Sequence, residues 1–154
     1  MSDQAAAVLL QCEGAVATLT LNRPEKLNPL DGDAIAALDA RVGELEARVD
    51  IRVVRLTGAG KAFSAGGDLA GYISLYQAPD AFRDFLEAFH ALLNRMEQSA
   101  KIYVAAVNGA CVAGGLELLL TCDVALAGEG ARIGDGHLNF GQLPGAGGSQ
   151  RLPR

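Results

Sequence analysis

Apolar positions along this 154-residue chain recur in two rhythms, and each rhythm predicts an element. Residues 8–12 and 16–21 are short apolar runs joined by Glu13-Gly14, the pattern of a β-hairpin. Ile35, Leu38, Val42, Leu45 and Val49 recur at steps of three and four, which places them on one face of a helix over 33–48. Residues 52–57 are apolar and β-branched, hence a strand, and it ends at Gly58-Ala59-Gly60. A second glycine turn lies within 63–69. Phe82, Phe85, Leu86, Phe89, Leu93 and Met96 form another helical stripe, so a helix is expected over 80–99. Residues 102–107 read as a buried strand closed by Asn108-Gly109. Gly114-Gly115 opens a short apolar helix reaching Leu120, and 123–127 is a further strand. This alternation predicts an α/β class with strands buried on both faces. Gly145-Ala146-Gly147-Gly148-Ser149 reads as the start of one more helix, unfinished at Arg154, so the expectation is a single incomplete domain over 1–154.

Composition narrows the function classes. Half the residues are apolar and a fifth are charged, a balance of globular rather than disordered chains. The net charge of −5 argues against a nucleic-acid partner, which needs a basic face. Arg23, Lys26 and Lys61 remain available for a local anionic ligand. Cys12, Cys111 and Cys122 show no zinc-type spacing and read as buried free thiols of a reducing compartment, with no metal expected. The N-terminal residues lack a signal-peptide pattern and no run is long enough to span a bilayer, so a cytoplasmic location without a membrane partner is expected. Gly14, Gly58 and Gly60 do not make a dinucleotide-binding fingerprint.

The chemistry concentrates around two glycine turns. At Gly114-Gly115 a strand runs through a turn into a helix, whose first amides lack partners inside the helix and sit at its positive end. Without side chains there, a ligand oxygen can approach those amides, and Ala65-Gly66-Gly67 offers a second bare backbone. Two such N–H groups aimed at one point make an oxyanion hole, each donor worth roughly 3–4 kcal/mol in a transition state. Glycine content alone favours the plainer reading of two tight turns. Glu117, in the first turn of an apolar helix, is either an acid that complements the helix dipole or a semi-buried acid–base group.

Four ordered motifs resemble the crotonase (enoyl-CoA hydratase/isomerase) family. The first is Leu19-Thr20-Leu21-Asn22-Arg23-Pro24-Glu25-Lys26-Leu27-Asn28, and the second runs from Leu56-Thr57-Gly58 through Ser64-Ala65-Gly66-Gly67-Asp68-Leu69. The third is Val104-Ala105-Ala106-Val107-Asn108-Gly109, then Ala113-Gly114-Gly115-Leu116-Glu117 and Thr121-Cys122-Asp123-Val124. The fourth is Leu143-Pro144-Gly145-Ala146-Gly147-Gly148-Ser149-Gln150-Arg151-Leu152. The resemblance implies a crotonase-like spiral of repeated ββα units, truncated before the C-terminal helices that build a trimer or a dimer of trimers. It implies coenzyme A thioester substrates and no further cofactor. By the same resemblance Gly67 and Gly114 match the oxyanion amides, and Glu117 matches the first catalytic glutamate of the hydratases. Lys26, Leu27, Asn28, Ala65, Asp68, Leu69 and Ala70 match the segments along which coenzyme A lies.

Departures from the family pattern carry the specific expectations. Where hydratases place a second glutamate, this chain has His137, inside Gly134-Asp135-Gly136-His137. Imidazole exchanges protons near neutral pH and could replace a carboxylate in proton transfer; a surface loop histidine is the alternative. The proline usual after the lysine is Ile102. His90 falls where the dehalogenase branch carries a catalytic histidine, but the matching nucleophile position is Gly145, so His90 is a candidate pocket residue or a half-exposed helix residue. The leading expectation is a hydratase adding water to a 2,3-unsaturated acyl-CoA, with Glu117 and His137 as the proton-transfer pair. The alternatives are an isomerase, a hydrolase of thioesters or β-dicarbonyl compounds, or a non-catalytic fragment or assembly partner.

Overall fold

The computed structural model describes residues 6–154. Strands β1 (Val8–Glu13) and β2 (Val16–Leu21) pair antiparallel as a hairpin. Helix α1 (Gly32–Glu46) follows, capped by Asp31, whose side chain accepts from the Ala34 N–H at 3.0 Å. Ile35, Leu38, Val42 and Leu45 are buried along its inner face. The helix ends before Val49, which is 96 % exposed rather than part of that face.

Three strand pairs then repeat one move. β3 (Val53–Gly58), β5 (Ile102–Val107) and β7 (Val124–Ala127) join the hairpin in one sheet of order β1-β2-β3-β5-β7. Each is followed by a three-residue strand of a second sheet: β4 (Ala62–Ser64), β6 (Ala110–Val112) and β8 (Arg132–Gly134). The pairings among these successive strands are parallel, so the chain advances one strand in each sheet per turn. Helices α2 (Leu69–Tyr76) and α3 (Pro79–Glu97) separate the first two turns, and the short helix α4 (Gly114–Leu119) the next. A 3₁₀ turn (His137–Phe140) and α5 (Gly148–Arg151) complete the order. This is the expected spiral of ββα units. Burial on both faces does not extend to β7, whose four residues are all exposed.

The core lies between the first sheet and the helices. Leu19, Leu38, Leu56, Leu92, Leu93 and Tyr103 are among its fully buried side chains. Arg95 of α3 fixes α1 by bonds to Asp39 at 2.9 Å and Glu46 at 2.6 Å. Ile102, in place of a proline, donates its N–H to the Arg52 carbonyl at 3.0 Å, a bond that proline would lack. Cys111 is buried and Cys122 partly so, and burial pushes both thiols up to about 12. Cys12 is exposed, contrary to the expectation of three buried thiols. Among the described residues no helix is long and apolar enough to cross a membrane.

Candidate active site

The two glycine turns meet. The 65–67 turn leaves β4 and is pinned from several sides. Leu30 N–H donates to the Gly66 carbonyl at 2.8 Å, Ala65 N–H to Leu27 at 2.9 Å, and Gly66 N–H to Ser64 Oγ at 3.1 Å. Ser64 Oγ in turn donates to the Asn28 carbonyl at 2.8 Å. Gly66 has φ +89°, and a Cβ there would lie 3.0 Å from both the Gly114 nitrogen and the Val112 carbonyl, so only glycine fits without displacing the other turn. On the opposite side Ala113 adopts φ 51° and ψ −122°, an unusual conformation for alanine that turns β6 into α4. Gly67 and Gly114 line one cavity of about 570 Å³.

Glu117 lies in the wall of that cavity, 2 % exposed. Its Oε1 accepts the N–H of Ala146 at 2.7 Å and of Gly148 at 2.9 Å. This arrangement suits a carboxylate and leaves Oε2 for other partners. Oε2 stands 3.5 Å from Nε2 of His137, which is 7 % exposed and lines the same cavity. His137 Nδ1 lies 2.7 Å from Asp135 Oδ1. The Asp135 carboxylate accepts from Nδ1–H, so Nε2 is the nitrogen presented to Glu117. His137 is therefore not a surface loop residue. The sequence contained Asp135, but only its position two residues away hinted that it orients the ring.

The rest of the cavity is apolar and rich in rings. Tyr72 and Tyr76 from α2, Phe82, Phe85 and Phe89 from α3, and Phe140 line it. Tyr72 meets Phe82 and Phe85 edge-on, with ring centroids 6.1 and 5.7 Å apart. Its phenol is pushed up to about 12, chiefly by burial. Tyr72 also packs against Gly67, where any side chain would collide with its hydroxyl. Across the cavity Gln142 Nε2 donates to the Tyr76 hydroxyl at 2.5 Å. Of these residues the periodicity of the sequence marked only Phe82, Phe85 and Phe89, as part of one helical stripe.

His90 is not among the residues lining the cavity. Its Nε2 bonds to the Gly145 carbonyl at 2.6 Å, behind the wall. Arg151 Nη1 donates to the next carbonyl, Ala146, at 2.7 Å, and its other nitrogens bind Asn94 and Glu97 of α3. Of the residues matched to coenzyme A, Ala65 and Leu69 line the cavity. Asp68 caps α2 by accepting from Ala70 N–H at 3.2 Å. Lys26 is exposed at the end of a 3₁₀ turn (Pro24–Lys26), and Leu27 and Asn28 follow with φ 60° and 55°. The Asn28 amide is committed to the carbonyls of Ala59 and Ala62, at 3.0 and 2.9 Å.

Arg23 is not available to an anionic ligand. It forks onto Asp31 with two bonds of 2.6 Å and donates to the Pro29 carbonyl at 2.9 Å, bracing the 24–31 loop. Burial pushes the Asp31 carboxyl up, yet the Arg23 bond and the Ala34 N–H together hold it below its ordinary value. A depressed carboxyl contributes stability above its unfolded value and loses it as pH falls through the folded one. Arg23→Gln should therefore destabilise the protein by about 1–3 kcal/mol at neutral pH. The deficit should shrink as pH falls below about 4, where the unfolded carboxyl takes up its proton before the folded one does. Urea unfolding of both proteins at neutral and acidic pH measures this, and a deficit that stays constant would contradict it.

A sequence model of the enoyl-CoA hydratase/isomerase family matches residues 11–154. The short-chain-enoyl-CoA hydratase of Clostridium acetobutylicum is 38% identical over 148 residues, an alignment covering 96% of this chain and 56% of that protein. The crystal structure of the enoyl-CoA hydratase from Thermoplasma volcanium superposes with a TM-score of 0.93 at 33% identity, covering 99% of this chain and 60% of that one. The enoyl-CoA hydratase from Bacillus anthracis gives 0.90 at 33%, covering 96% and 57%. The chain thus spans little more than half the length of these relatives. With the family match over nearly the whole sequence and the spiral of ββα units, this chain belongs to the enoyl-CoA hydratase/isomerase family.

Proposed function

We propose that this protein adds water across the 2,3-double bond of an acyl-CoA thioester. The observation that carries the reading is the meeting of Glu117 Oε2 and His137 Nε2, 3.5 Å apart in a cavity wall shared with Gly67 and Gly114. Glu117 takes a proton from water as the water oxygen bonds to C3. The electron pair of the double bond moves through C2 onto the thioester oxygen, which the amides of Gly67 and Gly114 stabilise. The His137 imidazolium then protonates C2. The pair begins with its proton on His137 and ends with it on Glu117, and transfer back across the gap resets the site. The acyl group occupies the ring-lined part of the cavity, while the 26–28 and 68–70 segments lie along coenzyme A.

A second reading is favoured by the Asp135–His137 contact of 2.7 Å, because a histidine oriented by a carboxylate is also how water is activated for hydrolysis. Product analysis with a 2-enoyl-CoA separates the readings. Hydration yields the thioester plus one water, isomerisation leaves the mass unchanged, and hydrolysis releases the coenzyme A thiol; either of the last two as the main product would overturn the proposal. Variants of His137 sharpen the test. His137→Gln should lower turnover by roughly 10²-fold or more. His137→Glu, which supplies a second carboxylate at the same place, should retain more hydration than His137→Gln, and the reverse order would remove His137 from the proton path.

A further inference from the structure

We propose that His90 is a positioning residue that sets Glu117 through a single peptide unit, the one joining Gly145 to Ala146. This rests on the reading of Glu117 as the proton-transfer group. The carbonyl of that unit faces His90 Nε2 at 2.6 Å, and its N–H donates to Glu117 Oε1 at 2.7 Å. A carbonyl oxygen only accepts, so Nε2 carries the hydrogen. Carbonyl and N–H belong to one rigid plane, so fixing one end fixes the direction of the other. A donor on the carbonyl also polarises the N–H and strengthens the bond it makes.

The clamp answers a local need. The plane sits in Gly145-Ala146-Gly147-Gly148, where neighbouring glycines leave the backbone free to rotate. Rotated half a turn, it would aim its carbonyl at the Glu117 carboxylate. Arg151 holds the following carbonyl, Ala146, and the Gly148 N–H makes the second bond to Oε1. Helix α3 thus grips the loop by His90 directly and through Arg151, whose guanidinium is tied to Asn94 and Glu97. The loop in turn holds the carboxylate whose other oxygen faces His137.

Two variants separate positioning from packing. His90→Phe keeps a ring of similar volume without the donor. His90→Gln gives up the ring but carries an N–H at the same distance along the side chain. Hydrogen exchange of the Ala146 amide, followed by NMR, reads the peptide plane whatever reaction the protein performs. Steady-state kinetics on a 2-enoyl-CoA reads the consequence. His90→Phe should speed exchange of the Ala146 amide by about tenfold or more. It should also lower kcat roughly 10- to 100-fold with KM within about threefold, because the substrate still binds but the carboxylate is misplaced. His90→Gln should restore both. Normal Ala146 protection in His90→Phe, or a His90→Gln variant as impaired as His90→Phe, overturns the proposal. If no enoyl thioester is hydrated but the exchange pattern holds, the clamp stands and the hydratase reading falls.

Discussion

Glu117→Gln is expected to lower kcat by roughly 10²–10⁴-fold, the range of general acid–base assistance, while leaving the fold intact. The substituted amide has the same shape. Its oxygen can still accept the N–H groups of Ala146 and Gly148, so the 145–148 loop keeps its anchor. Its NH₂ then replaces Oε2 opposite His137 and can neither take a proton from water nor hand one on. Thermal unfolding should change little, because the Ala146 and Gly148 N–H groups keep their acceptor and the new NH₂ can donate to Nε2 of a neutral His137. KM should stay near the original value, since the lost interaction belongs to the transition state. The comparison calls for parallel measurement of turnover and melting temperature. Near-normal turnover in the folded variant would pass the acid–base role to His137 alone.

The sequence showed the long elements of this fold because their burial is periodic. Ile35, Leu38, Val42 and Leu45 step along one face of α1 and are buried as predicted. Val49 continues the same step, but the helix has already ended, and periodicity does not register a stop that lacks a glycine or proline. The strands β4, β6 and β8 have three residues each, too few to show any period, so the second sheet was invisible until the resemblance supplied it. In α3 the stripe was right but its meaning divides. Phe82, Phe85 and Leu86 face the cavity, whereas Leu93 and Met96 are buried core, and spacing identifies an apolar face without saying what it meets. The site shows the same limit. Glu117 stood out as an acid in the first turn of an apolar helix, but its catalytic role, and His137 as its partner, came from counting along a family pattern. The amides that hold Glu117 come from residues 29 and 31 positions later in the chain, and no local signal announces such a contact. His90 was matched to a catalytic position and instead binds a backbone carbonyl, because the residue opposite is a glycine with no side chain to activate.

Gly114→Ala should lower kcat/KM by roughly 10²–10³-fold, the cost of losing one oxyanion donor, in a protein at least as stable as the original. The two effects separate because the fold itself has room for a methyl group at this site. A Cβ at Gly114 would lie 3.6 Å from Gly66 Cα and from Leu30 Cδ1, ordinary contact distances, and its backbone is not left-handed. Alanine in the first turn of α4 should raise stability by up to about 1 kcal/mol through helix propensity and a less flexible unfolded chain. The same Cβ would stand 3.7 Å from the Gly67 nitrogen, beside both amides. On the proposed mechanism that is where the thioester oxygen must sit, so the methyl and the oxygen compete for one place. Gly66→Ala supplies the contrast. With φ +89° and contacts of 3.0 Å to the Gly114 nitrogen and the Val112 carbonyl, it should lose activity together with fold stability. Thermal melts and kcat/KM measured on both variants decide the matter. A stable Gly114→Ala protein that processes its thioester at the original rate would show that the oxygen does not bind between these turns.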